Sequence, residues 1–247
     1  LITEDDDEVR GFLERELSLH FKIRTVANGK DALRVLEEEE ISLVVSDVMM
    51  PEMNGFELCR TIKSQLPFSH ISVILLTALT DERQRIFGIT GGADDYIQKP
   101  FHTDYVKIKI IHLLQERQKL RERLLEKLRD NKLLLSEPEK VESIDDTFLR
   151  KFAEQIEAVY ADPEYNVEKL SETLGLSRGH LHRKIKELTG TAPVEFLRTY
   201  RLNKATQLLR QNAYTVSEVA YRTGFSSPAY FSKCFKAVYG VTPTEYQ

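Results

Sequence analysis

The first half of the chain alternates short apolar runs with segments of helical periodicity. Apolar runs cover Phe21–Thr25, Ile41–Ser46 and Ile71–Leu76, while Ile2 lies in a truncated run at the start and Tyr96–Gln98 is a shorter candidate. Buried strands that alternate with helices form a parallel sheet with helices on both faces. The pattern therefore predicts an α/β doubly wound parallel five-stranded sheet.

The second half shows helical periodicity alone, and from Asp145 onward it repeats itself. The matching pairs are Val167/Val216 and Gly175/Gly224 at an offset of 49, then Leu181/Phe231, Ile185/Phe235, Gly190/Gly240 and Pro193/Pro243 at an offset of 50. Two copies are too few for a solenoid. The repeat therefore indicates a duplicated helical unit whose copies are joined by the helix Val194–Arg210.

A long helix and a linker are predicted between the two halves. Residues Thr103 to about Lys132 contain no Gly or Pro and carry leucines at helical spacing. Pro138 should end any helix that reaches it, because proline has no amide proton to donate. We therefore predict one domain at 1–115, a helical linker at 116–144 and a second domain at 145–247.

The charge is distributed unevenly along the chain. Residues 1–112 carry 13 Lys and Arg against 20 Asp and Glu, whereas residues 165–247 carry 12 against 6. An acidic front and a basic back indicate different partners for the two ends, with nucleic acid a candidate for the basic end. Cys59 and Cys234 fall in different predicted domains, so free thiols are expected rather than a disulfide.

Polar side chains follow four of the predicted strands. Glu4 and Asp5 lie past the first strand and Asp47 past the third. Parallel sheets bind ligands at the carboxyl ends of their strands. Carboxylates that converge there need a cation to offset their charge, and Mg²⁺ is a cation that prefers oxygen ligands. Thr77 and Lys99 follow two further strands, and together with a metal they predict a phosphoryl site in which Asp47 is the nucleophile.

These residues stand in motifs that resemble the response-regulator receiver family over about residues 1–115. The motifs are Thr-Glu-Asp-Asp at 3–6, Ser-Asp-Val-Met-Met-Pro-Glu-Met-Asn-Gly at 46–55, Leu-Leu-Thr-Ala at 75–78 and Asp-Tyr-Ile-Gln-Lys-Pro-Phe at 95–101. The resemblance implies a flavodoxin-like fold. It also implies that Asp47 accepts phosphate from a phosphohistidine, and that Mg²⁺ is bound by Glu4, Asp5, Asp47 and the main-chain carbonyl of Met49.

The same resemblance assigns the residues around the phosphate. Thr77 and Ala78 lie at the phosphate, Lys99 contacts it, and Thr77 forms a switch pair with Tyr96. Phosphorylation adds a dianionic group that accepts hydrogen bonds. We expect Thr77 to move toward that group and Tyr96 to turn into the vacated space, which would reshape the surface around Ile86–Ile97.

Helical spacing on both sides of Gly175-Leu176-Ser177, and again around Gly224, is typical of helix-turn-helix motifs. Basic residues lie on the second helix of each copy. The fuller pattern resembles the AraC-type DNA-binding domain over about residues 147–246. It is carried by Leu-Ser-Glu-Thr-Leu-Gly-Leu-Ser-Arg at 170–178, Leu-Thr-Gly-Thr-Ala-Pro at 188–193, residues 216–236 and Tyr-Gly-Val-Thr-Pro-Thr-Glu-Tyr at 239–246.

The resemblance implies that both recognition helices enter successive segments of the DNA major groove, roughly 34 Å apart. For the first recognition helix the expected DNA contacts are Arg178, Gly179, His182 and Arg183. For the second they are Ser227, Pro228, Ala229, Tyr230 and Lys233.

The sequence therefore predicts a two-component response regulator in which phosphorylation controls sequence-specific DNA binding and transcription. Within this chain we expect a phosphoacceptor with at most self-dephosphorylation rather than an enzyme. The expected partners are double-stranded DNA, a cognate histidine kinase (in cis or in trans), a second copy of the chain on activation, and RNA polymerase. The expected location is cytoplasmic.

Three alternatives stay open at this point. The linker resembles that of Bacteroides-type hybrid two-component proteins, and the chain begins at Leu1 within a strand. A fragment from the C-terminal part of a membrane-bound hybrid sensor histidine kinase is therefore possible; the kinase itself would then lie elsewhere in that protein. A haloacid-dehalogenase-like phosphatase would need a second carboxylate where this chain has Met49. An interaction module without DNA binding would have an affinity that does not fall with salt.

Overall fold

The computed structural model describes residues 1–78, 92–129 and 143–247. Within this part the chain forms two compact units, Leu1–Lys119 and Leu120–Gln247. The boundaries expected for the linker at 116–144 remain a prediction. Pro138 and the part of the expected switch surface before residue 92 lie outside the described residues.

The first unit contains a five-stranded sheet in the order β2-β1-β3-β4-β5, and every pairing in it is parallel. The strands are β1 (Ile2–Thr3), β2 (Thr25–Val26), β3 (Leu43–Asp47), β4 (Ser72–Thr77) and β5 (Asp95–Gln98). The order reverses between β1 and β3, since β2 lies on one side of β1 and the later strands lie on the other. The predicted doubly wound five-stranded sheet is confirmed.

One strand is shorter than its apolar run predicts. The run Phe21–Thr25 contributes only its last residue to β2. Phe21 and Ile23 are partly buried and pack against one of the two cores. Their apolar character therefore reflects packing in the segment before the strand rather than strand pairing.

Helices cover both faces of the sheet and build two cores. The helices of this unit are α1 (Asp7–Ser18), α2 (Gly29–Glu38), α3 (Gly55–Ser64) and α4 (Thr103–Arg129), the last continuing past residue 119. Alternate residues of β4 point to opposite faces. Ile74 and Leu76 pack with residues of α1 and α4, whereas Val73 and Leu75 pack with residues of α2 and α3. This double burial explains the continuous apolar run of β4.

The second unit is helical throughout its described residues from 143 onward. Its helices are α5 (Ile144–Val159), α6 (Val167–Thr173), α7 (Arg178–Thr189), α8 (Pro193–Arg210), α9 (Val216–Arg222), α10 (Pro228–Tyr239) and α11 (Pro243–Tyr246). The predicted connecting helix is therefore α8. An aromatic core of Phe225, Phe231 and Phe235 lies beneath the second copy of the repeat.

The two copies of the repeat make the same turn. Gly175 and Gly224 have φ angles of 67° and 80°, a region that glycine adopts without steric cost. After each glycine the next amide bonds back across the turn: Leu176 donates to the carbonyl of Ser171 and Phe225 to that of Ala220, both at 3.0 Å. The offset of 49 seen in the sequence is therefore repeated in the hydrogen bonds.

Both cysteines, Cys59 and Cys234, are buried free thiols, as expected. Among the described residues, the helices include none with a long enough apolar stretch to span a bilayer.

Candidate functional site

The acidic residues predicted from the strand ends meet at one place. Glu4 follows β1 and Asp47 ends β3, the two neighbouring strands at which the strand order reverses. One carboxylate oxygen from each of Glu4, Asp5 and Asp47 lies within 4.8 Å of the other two. Glu4 and Asp47 are only 2% and 7% exposed, whereas Asp5 is open to solvent. The sheet thus brings three carboxylates together, two of them buried and the third exposed to solvent.

Lys99 places its ammonium between the two buried carboxylates. Its Nζ lies 2.9 Å from Oε2 of Glu4 and 3.0 Å from Oδ1 of Asp47. Burial raises the pKa of Glu4, and the hydrogen bond from Lys99 counteracts that rise. Burial would lower the pKa of Lys99, but its bonds to Glu4 and Asp47 outweigh burial and raise it. The ammonium therefore offsets part of the repulsion between the carboxylates.

The backbone around Asp47 leaves little room for change. The amide of Val48 donates to Oδ1 of Asp47 at 2.9 Å, which orients the carboxylate. A Cβ atom at Gly55 would lie 2.2 Å from the Asp47 carbonyl oxygen, so a side chain there would displace the end of β3. Asn54 and Glu57 form a capping box that starts α3 at Gly55. The turn after β3 thus depends on a glycine at that position.

The donor set fits a hard divalent cation. Carboxylate oxygens with one open side allow Mg²⁺ to keep part of its water shell, as that ion prefers. Met49 lies two residues after Asp47 and is 65% exposed. Its role as a carbonyl ligand remains a prediction, as do the ligand roles of Glu4, Asp5 and Asp47.

Arg10 is a residue of the site that the sequence motifs did not indicate. Its Nη1 donates to the carbonyl of Glu4 at 2.8 Å and to that of Asp5 at 3.3 Å, and its other nitrogen pairs with Asp7. It therefore fixes the backbone of the acidic loop from the first helix. Asp6, by contrast, serves as the N-cap of α1, accepting from the amides of Glu8 and Val9.

The predicted switch residues lie at the ends of β4 and β5. Thr77 is half-buried at the end of β4, and Ala78 after it is exposed. The Tyr96 hydroxyl is buried and has no hydrogen-bond partner within the described ranges. Burial raises the pKa of Tyr96 to about 12. Tyr96 packs against the core that contains Cys59, and its exchange with Thr77 remains a prediction.

In the second unit, α7 presents the first set of predicted DNA contacts. Arg178, Gly179 and His182 are exposed, and Arg183 is half-buried. Arg178 lies 3.3 Å from Glu168 in an ion pair whose two side chains are 69% and 59% exposed. Such exposed pairs contribute little, so Glu168 can release Arg178 to a phosphate or base at small cost.

The second set lies at the start of α10. Ala229, Tyr230 and Lys233 are exposed, and Pro228 is half-buried at the first position of the helix. Ser227 is the N-cap, and its hydroxyl accepts from the Tyr230 amide at 3.4 Å. Its oxygen is therefore already engaged, a competing role that the sequence pattern did not reveal.

Arg198 of α8 is a neighbour of this set that sequence reasoning missed. A hydrogen bond with Tyr230 is the largest cause of its raised pKa, followed by its position beside Glu195. The link could not be read from the sequence, because 32 residues separate Arg198 from Tyr230.

Comparison with known proteins agrees with the division of the chain into two units. Residues 1–111 match the response regulator receiver domain family and residues 170–247 match a helix-turn-helix domain family. The histidine kinase P4 of Formosa agariphila is 38% identical over 247 residues, which is all of this chain and 18% of that protein. The transcriptional regulatory protein GltR of Pseudomonas aeruginosa is 43% identical over 119 residues, 48% of this chain and 49% of that protein.

A solved receiver domain of a signal transduction histidine kinase from Syntrophus aciditrophicus is 37% identical, with a TM-score of 0.45, and covers 47% of this chain and 88% of that one. The chain spans half or less of the length of the two relatives named above, 18% and 49%.

We predict that Lys99→Met lowers the stability of the first unit in the absence of Mg²⁺. Two buried carboxylates would then face each other without a cation, at a cost of about 2 kcal/mol, less than for a fully buried pair because Lys99 is 25% exposed. Mg²⁺ binds the same oxygens, so saturating Mg²⁺ should close the difference. Hydrogen exchange of the β1 and β3 amides measures both states.

Lys30→Met is the matched control, because Lys30 pairs with Glu52 at 3.4 Å in an exposed ion pair. It should change the free energy of opening by less than about 0.5 kcal/mol with or without Mg²⁺. A stability deficit in Lys99→Met that persists at saturating Mg²⁺ contradicts the assignment of the three carboxylates as a cation site.

Proposed function

We propose that this chain, which carries a response-regulator receiver domain followed by a helix-turn-helix domain of the AraC type, is a two-component response regulator. In this proposal, phosphorylation of Asp47 controls sequence-specific DNA binding and transcription. The observation that carries the proposal is the convergence of Glu4, Asp5, Asp47 and Lys99 at the sheet's switch point.

The proposed reaction is a transfer of a phosphoryl group onto Asp47. A carboxylate oxygen of Asp47 attacks the phosphorus of a phosphohistidine, the P–N bond breaks, and the imidazole nitrogen leaves with the electron pair and takes up a proton. Mg²⁺, when bound, offsets the charge on the phosphoryl oxygens. The ammonium of Lys99, already 3.0 Å from Asp47, is placed to exchange its carboxylate partner for a phosphoryl oxygen.

The response to phosphorylation would begin at the ends of β4 and β5. In this proposal the Thr77 hydroxyl donates to the new phosphoryl oxygens, and Tyr96 repacks beside it. The buried Tyr96 hydroxyl supports the idea: it makes no hydrogen bond of good geometry among the described residues, and a position with such a partner would lower its free energy. A homodimer on activation and contact with RNA polymerase remain predictions.

DNA binding is assigned to α7 and α10. Both helices expose basic residues in their first halves, Arg178 and His182 on α7 and Lys233 on α10. Arginine and lysine suit guanine edges and phosphates, whereas Ala229 could contact only a thymine methyl group. The match of residues 170–247 to a helix-turn-helix family supports DNA binding over a plain interaction module.

A kinase activity is not proposed for this chain itself. The chain spans 18% of the matching histidine kinase, so the activity of that protein does not transfer to it. A haloacid-dehalogenase-like phosphatase is not supported either, because the residue two positions after Asp47 is Met49. We therefore propose a non-enzymatic regulator that at most dephosphorylates itself, with DNA and a histidine kinase as partners.

We predict that Asp47→Asn abolishes phosphorylation, because the neutral amide of asparagine does not act as a nucleophile toward phosphorus at neutral pH. The measurement is transfer of label from radioactive acetyl phosphate, with Mg²⁺, to the full chain. Asp104→Asn serves as the control, since Asp104 is an exposed carboxylate at the start of α4, and it should be labelled like the parent. Label on Asp47→Asn at the level of the parent would sink the assignment of Asp47.

We predict that Arg183→Ala weakens specific DNA binding by roughly 1–3 kcal/mol if Arg183 pairs with a guanine edge. The probe is a labelled duplex selected from a random library with the parent chain, and the readout is fluorescence anisotropy at fixed salt. Lys151→Ala removes an exposed lysine of α5, outside both motifs, and should leave the affinity close to that of the parent. If Arg183→Ala binds the duplex as tightly as the parent, Arg183 is not one of the DNA contacts.

A further inference from the structure

Lys184 is fully buried in the middle of α7. Its side chain has 0% exposure, although it directly follows His182 and Arg183, two of the proposed DNA contacts. Burying an ammonium is costly unless an opposite charge lies close to it. The position of Lys184 in the proposed recognition helix therefore depends on its counter-charge.

Asp145, in the first turn of α5, provides that charge. Its Oδ1 lies 2.5 Å from the Nζ of Lys184, across 39 residues of sequence. The ring of Phe148, one turn further along α5, lies 5.1 Å from the same ammonium, within range of a cation–π interaction. The beginning of α5 is thus tied to the middle of α7.

Helix α5 is itself anchored independently of Lys184. Ser143 and Asp146 form a capping box that fixes its first turn. Farther along, the Phe152 ring packs edge-on against Phe196 of α8 at 4.8 Å, and Glu157 pairs with Lys204 of α8 at 2.8 Å. Asp145 is therefore presented to Lys184 from a rigid base.

The ion pair acts together with the buried side chains of Leu181, Ile185 and Leu188, which hold the same face of α7 inward. Successive residues of a helix point about 100° apart around the axis, so an inward Lys184 places His182 on the outer side and Arg183 at the flank, where it is half-buried. Without the Asp145 carboxylate, the Lys184 ammonium would lose the ion pair that offsets part of its desolvation, and it would be drawn toward water. Either α7 would then rotate or its turns around Lys184 would loosen. In both cases His182 and Arg183 would no longer point toward the proposed DNA surface.

We propose that Asp145 is a positioning residue for DNA recognition. Through its ion pair with Lys184 it helps to fix the orientation of α7, and it acts from α5, ahead of the residues 170–247 that match the helix-turn-helix family. This inference rests on the proposed DNA-binding function.

The test compares Asp145→Asn, Lys184→Met and the double variant in the full chain. The probes are the duplex selected from a random library with the parent chain and an unselected random-sequence duplex. Asp145→Asn should weaken binding to the selected duplex by about tenfold, while binding to the unselected duplex changes by less than about twofold. The double variant should regain most of the loss, because a methionine needs no counter-charge.

Glu154→Gln is the matched control. Glu154 lies on the same helix and pairs with Arg150 at 3.3 Å, with side chains that are 55% and 49% exposed. It should leave both affinities unchanged. Asp145→Glu replaces Asp145→Asn in the test if the latter does not fold. It keeps the charge but shifts the carboxylate, so we expect an intermediate loss of affinity for the selected duplex.

A structural role alone would lower the melting temperature of the variants but keep the ratio of selected to unselected binding, measured where every variant is folded. That result overturns the inference. A double variant that binds the selected duplex no better than Asp145→Asn overturns it as well. A parent chain that enriches no duplex from the library overturns the proposed DNA-binding function instead, so the two failures can be told apart.

Discussion

The contact on which the first unit depends is the ammonium of Lys99 between the carboxylates of Glu4 and Asp47. Two carboxylates buried at neighbouring strand ends would repel each other strongly in a low-dielectric site. A single ammonium, on the residue that directly follows β5, holds both in place, and it is also positioned for the phosphoryl group of the proposed reaction. Stability and function of this unit thus share one electrostatic arrangement.

The sheet and its site could be predicted because a parallel sheet converts strand order into spatial proximity. Glu4 and Asp47 are 43 residues apart in the sequence, yet both follow buried strands and therefore meet at one edge. The same rule places Lys99 at that edge, because it directly follows β5. The helix-turn-helix geometry was equally accessible, since Gly175 and Gly224 each mark a turn that needs a positive φ angle.

Other features could not be predicted, because they depend on where side chains of separate helices meet. The helical spacing of Leu181, Ile185 and Leu188 places Lys184 on the buried face of α7, but nothing in the sequence identifies its partner Asp145, 39 residues earlier. Arg10 contributes through backbone carbonyls, which carry no sequence signature. Phe21 and Ile23 gave an apolar run of strand-like composition, but they pack against the core ahead of β2.

The central claim is that the chemical state of Asp47 governs DNA binding by the second unit. It is tested most directly by the affinity of the full chain for its selected duplex, with and without acetyl phosphate and Mg²⁺, in the parent and in Asp47→Asn. The account predicts that the donor changes the affinity of the parent and leaves that of the variant unchanged. Equal affinity of the parent with and without acetyl phosphate would contradict it, and so would the same change in affinity in Asp47→Asn.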